Sequence, residues 1–228
     1  IGTAKIAKKI GKKNKIEFFK KIGFFDEIKF ELKETQKPKK PKYWGKTETM
    51  TIGYGYGFAV TPLHLCQAYG TIANRGFMVN PTLLKKENIN SYNERVVKLS
   101  TSDKINKLLR SVIMETKYTG PRVKIPGYDI GGKTGTAEIS YGSGKNRTLF
   151  ISLFPVANPK YLILAMVNDP KKIKETNYNN TGAWVAAPLV KRIMTEMIKI
   201  LNIAPTIDVD LLNAKKQEIY LNKKNVII

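Results

Sequence analysis

The 228-residue sequence contains one cysteine and one histidine. A disulfide needs two thiols, so the single Cys66 excludes an internal disulfide and leaves the redox compartment open. No apolar run is long enough to span a bilayer, and no signal peptide is visible. His64 and Cys66 stand two positions apart, so on a helix they do not face each other as a catalytic or metal-binding pair. No other cluster of histidine, cysteine and carboxylate suggests a metal, and we predict no cofactor.

Acidic residues are few beside the basic ones. The chain has 40 Lys and Arg against 18 Asp and Glu, which gives a formal net charge of +22. Such a balance can indicate a nucleic acid or a nearby anionic membrane or polymer. The lysines are spread over the whole chain, however, and no basic stripe alternates with exposed aromatic residues. We therefore predict no nucleic-acid partner.

Hydrophobic periodicity divides the first half of the chain into helices and loops. Residues 1–22 hold two short helical patterns that end at Gly11 and Gly23. Phe24 to Leu32 is expected to pair as a short strand or hairpin, and Lys33 to Lys46 is expected to be a loop. Thr61-Pro62 predicts a helix start, with the threonine as N-cap and the proline in the first helical position. A second long amphipathic helix is predicted from Ser102 to Thr116.

The second half predicts an antiparallel sheet. Strands are expected at about 128–139, 146–155 and 160–168, because these stretches are apolar or β-branched and separated by short turns. Turns of this length force antiparallel pairing. An apolar helix from Gly182 to Leu201 is long enough to cover one face of the sheet. The fold class predicted is therefore α+β, an antiparallel sheet covered by helices.

The run from Gly131 to Glu138 places a lysine, two threonine hydroxyls and a glutamate on the first predicted strand. Its Lys133-Thr134-Gly135 matches the Lys-Thr-Gly box of serine acyl-transfer enzymes that bind penicillin. The alternative is a nucleotide-binding phosphate loop, because Gly127 to Thr134 fits its pattern letter for letter. The strand at Tyr161 to Asp169 would then end in a magnesium-binding aspartate. Glycines and β-branched residues after Lys133 disfavour the helix that a phosphate loop needs.

Three stretches together resemble the C-terminal part of the transpeptidase domain of a class B penicillin-binding protein, most like the division-type enzyme. They cover about residues 50–200 in the family's order. The stretches are Ile52-Gly53-Tyr54-Gly55-Tyr56-Gly57 to Val60-Thr61-Pro62-Leu63 with Gln67-Ala68-Tyr69 and Ala73-Asn74-Arg75-Gly76, then Gly132 to Glu138, then Phe154-Pro155-Val156-Ala157-Asn158-Pro159-Lys160-Tyr161 with Val185-Ala186-Ala187-Pro188. His64 departs from the family, which usually has glutamine there. The resemblance implies an incomplete penicillin-binding transpeptidase fold, similar to that of serine β-lactamases.

The family's other two boxes are missing. No Ser-x-x-Lys with the right context and no usable Ser-x-Asn occurs, and Ile1 to Lys5 resembles the helix that follows the Ser-x-Asn box. We therefore expect a fragment of a serine D,D-transpeptidase that is inactive alone, with its nucleophile, base and membrane anchor upstream. Residues 1–203 are expected to form the C-terminal part of the transpeptidase domain, and 204–228 a tail.

The resemblance also implies a substrate and a place for it. The substrate is a peptidoglycan stem peptide ending in D-Ala-D-Ala, and β-lactams would bind in the same way. Lys133 would attract the terminal carboxylate, Thr134 and Thr136 would supply hydroxyls, and Gly135 would let the substrate lie along the strand edge. The N–H of Thr136 would be one oxyanion donor. Division-machinery proteins are the expected partners, at the periplasmic face of a bacterial inner membrane.

Overall fold

The computed structural model describes residues 1–85, 94–140 and 142–207. Within these ranges the chain forms six helices, a short 3-10 helix and one sheet of three strands. The elements in chain order are α1 (Gly2–Lys21), α2 (Lys46–Ile52), α3 (Pro62–Ala73), α4 (Leu99–Met114), α5 (Gly120–Val123), β1 (Gly131–Glu138), β2 (Asn146–Phe154), β3 (Tyr161–Asn168), the 3-10 helix (Lys174–Thr176) and α6 (Ala186–Ile200).

The sheet has the order β1-β2-β3, and both pairs are antiparallel. Lys133 pairs with Ile151, and Thr136 pairs with Thr148. Within the described residues β1 therefore lies at one edge of the sheet. The predicted strands, their direction and the α+β class are confirmed.

The core lies between the sheet and the helices that cover it. α6 packs against β2 and β3, while α4 packs against β1. β2 supplies most of the strand contribution, since Phe150, Leu153 and Phe154 are fully buried. The core cluster is Ile113, Val123, Ile130, Phe150, Phe154, Ile163, Ala165, Ala186, Ala187, Val190 and Met194.

Local chemistry explains the predicted helices. The Thr61 hydroxyl accepts from the N–H of His64 and Pro62 opens α3, as the N-cap pattern predicts. Gly11 interrupts α1 with a φ of 81°, which only glycine adopts readily, so the two predicted helical patterns are confirmed as two segments of one kinked element. The helix predicted at Ser102 is confirmed as α4, which begins slightly earlier.

The expected strand or hairpin from Phe24 to Leu32 is wrong, because this stretch is turn and irregular backbone. Its aromatic rings pack into a cluster instead of forming a ladder: Phe24 and Phe25 lie 6.4 and 5.6 Å from Phe58, ring centre to ring centre. The loop expected up to Lys46 ends where α2 begins. The predicted tail at 204–228 lies outside the described residues from position 208 onward.

None of the helices in the described part of the chain has the length and apolar character needed to cross a membrane.

Candidate functional site

The free edge of β1 is the first feature of the site. Peptide groups along a strand point alternately to its two sides. The N–H of Ile139 donates to Lys145 across the hairpin at 2.8 Å, whereas the N–H of Glu138 donates to the Tyr56 hydroxyl at 3.3 Å on the other side. By this alternation the N–H groups of Thr134 and Thr136 also point away from β2. The edge therefore offers a row of backbone groups to an added strand.

Lys133 and Thr134 present their polar atoms at this edge. The Lys133 side chain is exposed and that of Thr134 is half-buried. Lys133 Nζ lies 3.0 Å from the Thr134 carbonyl oxygen and 3.4 Å from the Thr134 hydroxyl. The sequence predicted that these two residues act together, and in the structure the Lys133 ammonium and the Thr134 hydroxyl are neighbours.

Thr136 is also exposed, but its hydroxyl has a protein partner. The N–H of Gly182 donates to Thr136 Oγ1 at 3.0 Å. A contact between residues 46 positions apart has no local sequence signal, so sequence reasoning missed it. In the part of the chain that the structure describes, the Thr136 hydroxyl hydrogen has no acceptor.

The glycines of β1 allow close packing. A Cβ on Gly132 would lie 2.6 Å from the Phe150 ring, and one on Gly135 would lie 2.9 Å from Leu149 Cγ. Real Cβ atoms essentially never come so close to other atoms. Gly135 is therefore required by the packing of β1 against β2, in addition to the role at the strand edge that the sequence predicted.

The Gly-Tyr stretch reaches the far end of the site. Tyr56 contacts the N–H of Glu138, and its ring centre lies 6.0 Å from that of Tyr54. Both tyrosines are exposed. In the sequence these tyrosines were part of a stretch that resembles the family, with no role assigned to them. In the structure they lie beside the end of β1.

The phosphate-loop alternative is wrong. A phosphate loop needs a helix that begins at its lysine. Lys133 is instead the third residue of β1, which runs on to Glu138. Asp169 follows β3 but forms a surface ion pair with Lys145, 3.9 Å away.

His64 and Cys66 are both outside this site. His64 is 1 % exposed, and its ring bonds to the Thr61 hydroxyl and to the Asp26 carbonyl at 2.7 and 2.9 Å, so it is a packing residue. Cys66 is half-buried. Burial raises the pKa of its thiol, which lowers the thiolate fraction and the reactivity. In the ranges that the structure describes, no group of three or more His, Cys, Asp and Glu could hold a metal ion.

Comparisons with known proteins identify the family of this chain. Residues 1–195 match the family model "Penicillin binding protein transpeptidase domain". The chain is 29% identical over 216 residues to the probable peptidoglycan D,D-transpeptidase FtsI of Caulobacter vibrioides, covering 89% of this chain and 36% of the relative. It is 33% identical over 171 residues to the peptidoglycan D,D-transpeptidase FtsI of Buchnera aphidicola, covering 72% and 29%. The chain thus spans about a third of the length of these relatives.

A solved structure gives the same result for the fold. The apo structure of the TP domain of Burkholderia pseudomallei penicillin-binding protein 3 superposes with a TM-score of 0.80 at 28% identity, covering 91% of this chain and 63% of that one. The predicted transpeptidase fold and the class B resemblance are confirmed. The family model matches residues 1–195, which is most of the chain, so this chain belongs to the penicillin-binding protein transpeptidase domain family.

Proposed function

We propose that this chain supplies the substrate-binding strand of a peptidoglycan D,D-transpeptidase that cross-links stem peptides ending in D-Ala-D-Ala. The observation that carries the proposal is the free edge of β1, where Lys133, Thr134 and Thr136 present donors beside outward-pointing peptide groups. The substrate backbone lies along this edge as an added strand. Its terminal carboxylate accepts from the Lys133 ammonium and the threonine hydroxyls.

The chemistry is serine acyl transfer. A serine oxygen attacks the carbonyl carbon between the two D-alanines, the peptide bond breaks, and the terminal D-alanine leaves with a proton on its nitrogen. An amino group of a second stem peptide then attacks the serine ester: the new peptide bond forms, the bond from the acyl carbon to the serine oxygen breaks, and the amine's proton returns to that oxygen. The N–H of Thr136 donates to the oxyanion that forms in each step, and losing one such donor typically costs about a hundredfold or more in rate.

The nucleophile and the base come from outside these 228 residues, because the sequence has no Ser-x-x-Lys and no usable Ser-x-Asn. β-Lactams bind at the same place, since they carry a carboxylate and a strained acyl carbonyl. The family name, penicillin-binding protein, supports this part of the proposal. The resemblance to division-type enzymes also leads us to place the whole enzyme at the periplasmic face of a bacterial inner membrane, with division proteins as partners. No metal or cofactor takes part.

The test compares two proteins. One is the 228-residue chain, and the other, called the extended chain below, adds the segment that carries both serine boxes. Each is incubated with a fluorescent penicillin, denatured and run on a gel. We expect covalent label on the extended chain only. Label on the 228-residue chain, or none on a folded extended chain, would contradict the proposal.

A further inference from the structure

Residues 180–187, called the strap below, pass against β1 and β2 and lead into the first turn of α6. Asn180 is buried, and its side-chain oxygen accepts from Asn146 Nδ2 on β2 at 3.1 Å. At the other end Ala187 is fully buried and belongs to the core cluster. The strap is therefore held at both ends by the body of the fold.

Gly182 lies directly against the backbones of both β1 and β2. A Cβ there would lie 2.4 Å from the Leu149 carbonyl oxygen and 2.7 Å from the Gly135 carbonyl oxygen. Its φ is outside the left-handed region, so any residue could adopt its backbone conformation. Only the close approach to β1 and β2 requires a glycine here.

The same residue sets the direction of the Thr136 hydroxyl. A hydroxyl has one hydrogen to donate and two lone pairs to accept with. Gly182 N–H occupies a lone pair at 3.0 Å, and in the described part of the chain the hydroxyl hydrogen has no acceptor. That hydrogen is therefore left to donate toward the solvent-exposed side of β1, where an anion can meet it.

We propose that Gly182 is a positioning residue for carboxylate recognition: its N–H orients the Thr136 hydroxyl as a donor, and its missing side chain lets the strap hold Thr136 in place. This inference rests on the proposed function. It adds that selectivity for a free carboxylate depends on a backbone group that never touches the substrate. An alanine at position 182 pushes the strap and β1 apart and loosens the hydrogen bond.

The experiment measures acylation of the extended chain by a fluorescent penicillin and by its methyl ester, which lacks the anion. The measured quantity is the acylation rate with the penicillin divided by the rate with its methyl ester. Gly182→Ala should lower this ratio roughly tenfold, which corresponds to the loss of about one charge-assisted hydrogen bond. Thr136→Val should lower the ratio similarly, and the double variant should lower it no further. Gly70→Ala is the matched control, because a Cβ there makes only ordinary contacts at 3.6 Å with Val79.

A merely structural role would slow both probes equally and leave the ratio unchanged, and this result would overturn the inference. Absence of labelling in the unsubstituted extended chain would instead contradict the proposed function. If Gly182→Ala does not fold, amide hydrogen exchange decides the matter. The Gly182 amide should exchange at least several-fold faster in Thr136→Val and should stay protected in Thr136→Ser. Unchanged exchange in Thr136→Val would overturn the inference.

Discussion

The Lys133 ammonium folds back on its neighbour, with Nζ 3.0 Å from the Thr134 carbonyl oxygen and 3.4 Å from the Thr134 hydroxyl. Side chains of adjacent strand residues leave the sheet on opposite faces. The long lysine chain therefore reaches round the free edge of β1 to meet Thr134. Under the proposed function, a carboxylate at this edge accepts from both groups at once.

Lys133→Ala in the extended chain should slow acylation by fluorescent penicillin about 10- to 100-fold, because it removes a charge-assisted hydrogen bond and the positive field. Gel fluorescence after short incubations measures the rate. Lys199→Ala is the control, since this exposed lysine lies near the end of α6 and forms an ion pair with Glu196. Equal rates for Lys133→Ala and the control would show that Lys133 takes no part in binding the penicillin.

Thr134→Val should slow the same reaction less, about three- to tenfold. The change removes one neutral donor at nearly constant shape, and neutral hydrogen bonds contribute less than charged ones. Thr134→Ser retains the hydroxyl and should keep a rate close to that of the unsubstituted chain. A Thr134→Val rate below that of Lys133→Ala would reverse the assigned order of importance.

Elements with strong local signals were predicted from the sequence. The three strands have β-branched runs between glycine and proline turns, and α3 has both an N-cap threonine and a first-turn proline. The positions of Lys133 and Thr134 on a strand followed from the same pattern. These features are determined by residues that are adjacent in the sequence, so they can be predicted from the sequence alone.

α2 could not be predicted in this way. It has only seven residues, and three of them are threonines, which are poor helix formers. Side-chain contacts at its first turn and packing against α1 stabilise it instead. Glu48 accepts from the N–H of Gly45 at 2.8 Å, Trp44 Nε1 donates to the Thr49 hydroxyl at 3.1 Å, and the helix packs on α1. The contact of Gly182 with Thr136 also escaped prediction, because it joins residues 46 positions apart.

The aromatic cluster around Phe58 makes a testable contribution to stability. Its ring centre lies 5.1 Å from that of Phe19 and 5.9 Å from that of Trp44. Phe58→Ala in the extended chain should lower the free energy of unfolding by about 2–4 kcal/mol, because a half-buried ring leaves a cavity between several partners. Urea denaturation measures this change. Tyr118→Ala, at a side chain 74% exposed, should change stability by less than about 0.5 kcal/mol, and a similar loss in both variants would contradict the cluster's role.

Lys15 joins α1 to α2 from a buried position. Only 8% of its surface is exposed, and Nζ donates to the Thr49 carbonyl oxygen at 2.6 Å. Burial lowers the pKa of this ammonium below its ordinary value of 10.5, because the charged form loses hydration that one carbonyl does not replace. The folded chain therefore releases this proton at a lower pH than the unfolded chain does.

The sign of the pH dependence follows from this difference. Between the lowered folded pKa and about 10.5 the unfolded state holds more protons, so the free energy of unfolding rises with pH through that window. Lys15→Met in the extended chain retains the apolar stem and removes the titrating group, so its stability should rise less than that of the unsubstituted chain between pH 7 and 10.5. Urea denaturation at several pH values measures the two slopes, and Lys9→Met, at an exposed position of α1, should retain the original slope. If Lys15→Met instead matched the unsubstituted chain at every pH, burial of the ammonium would have no energetic consequence.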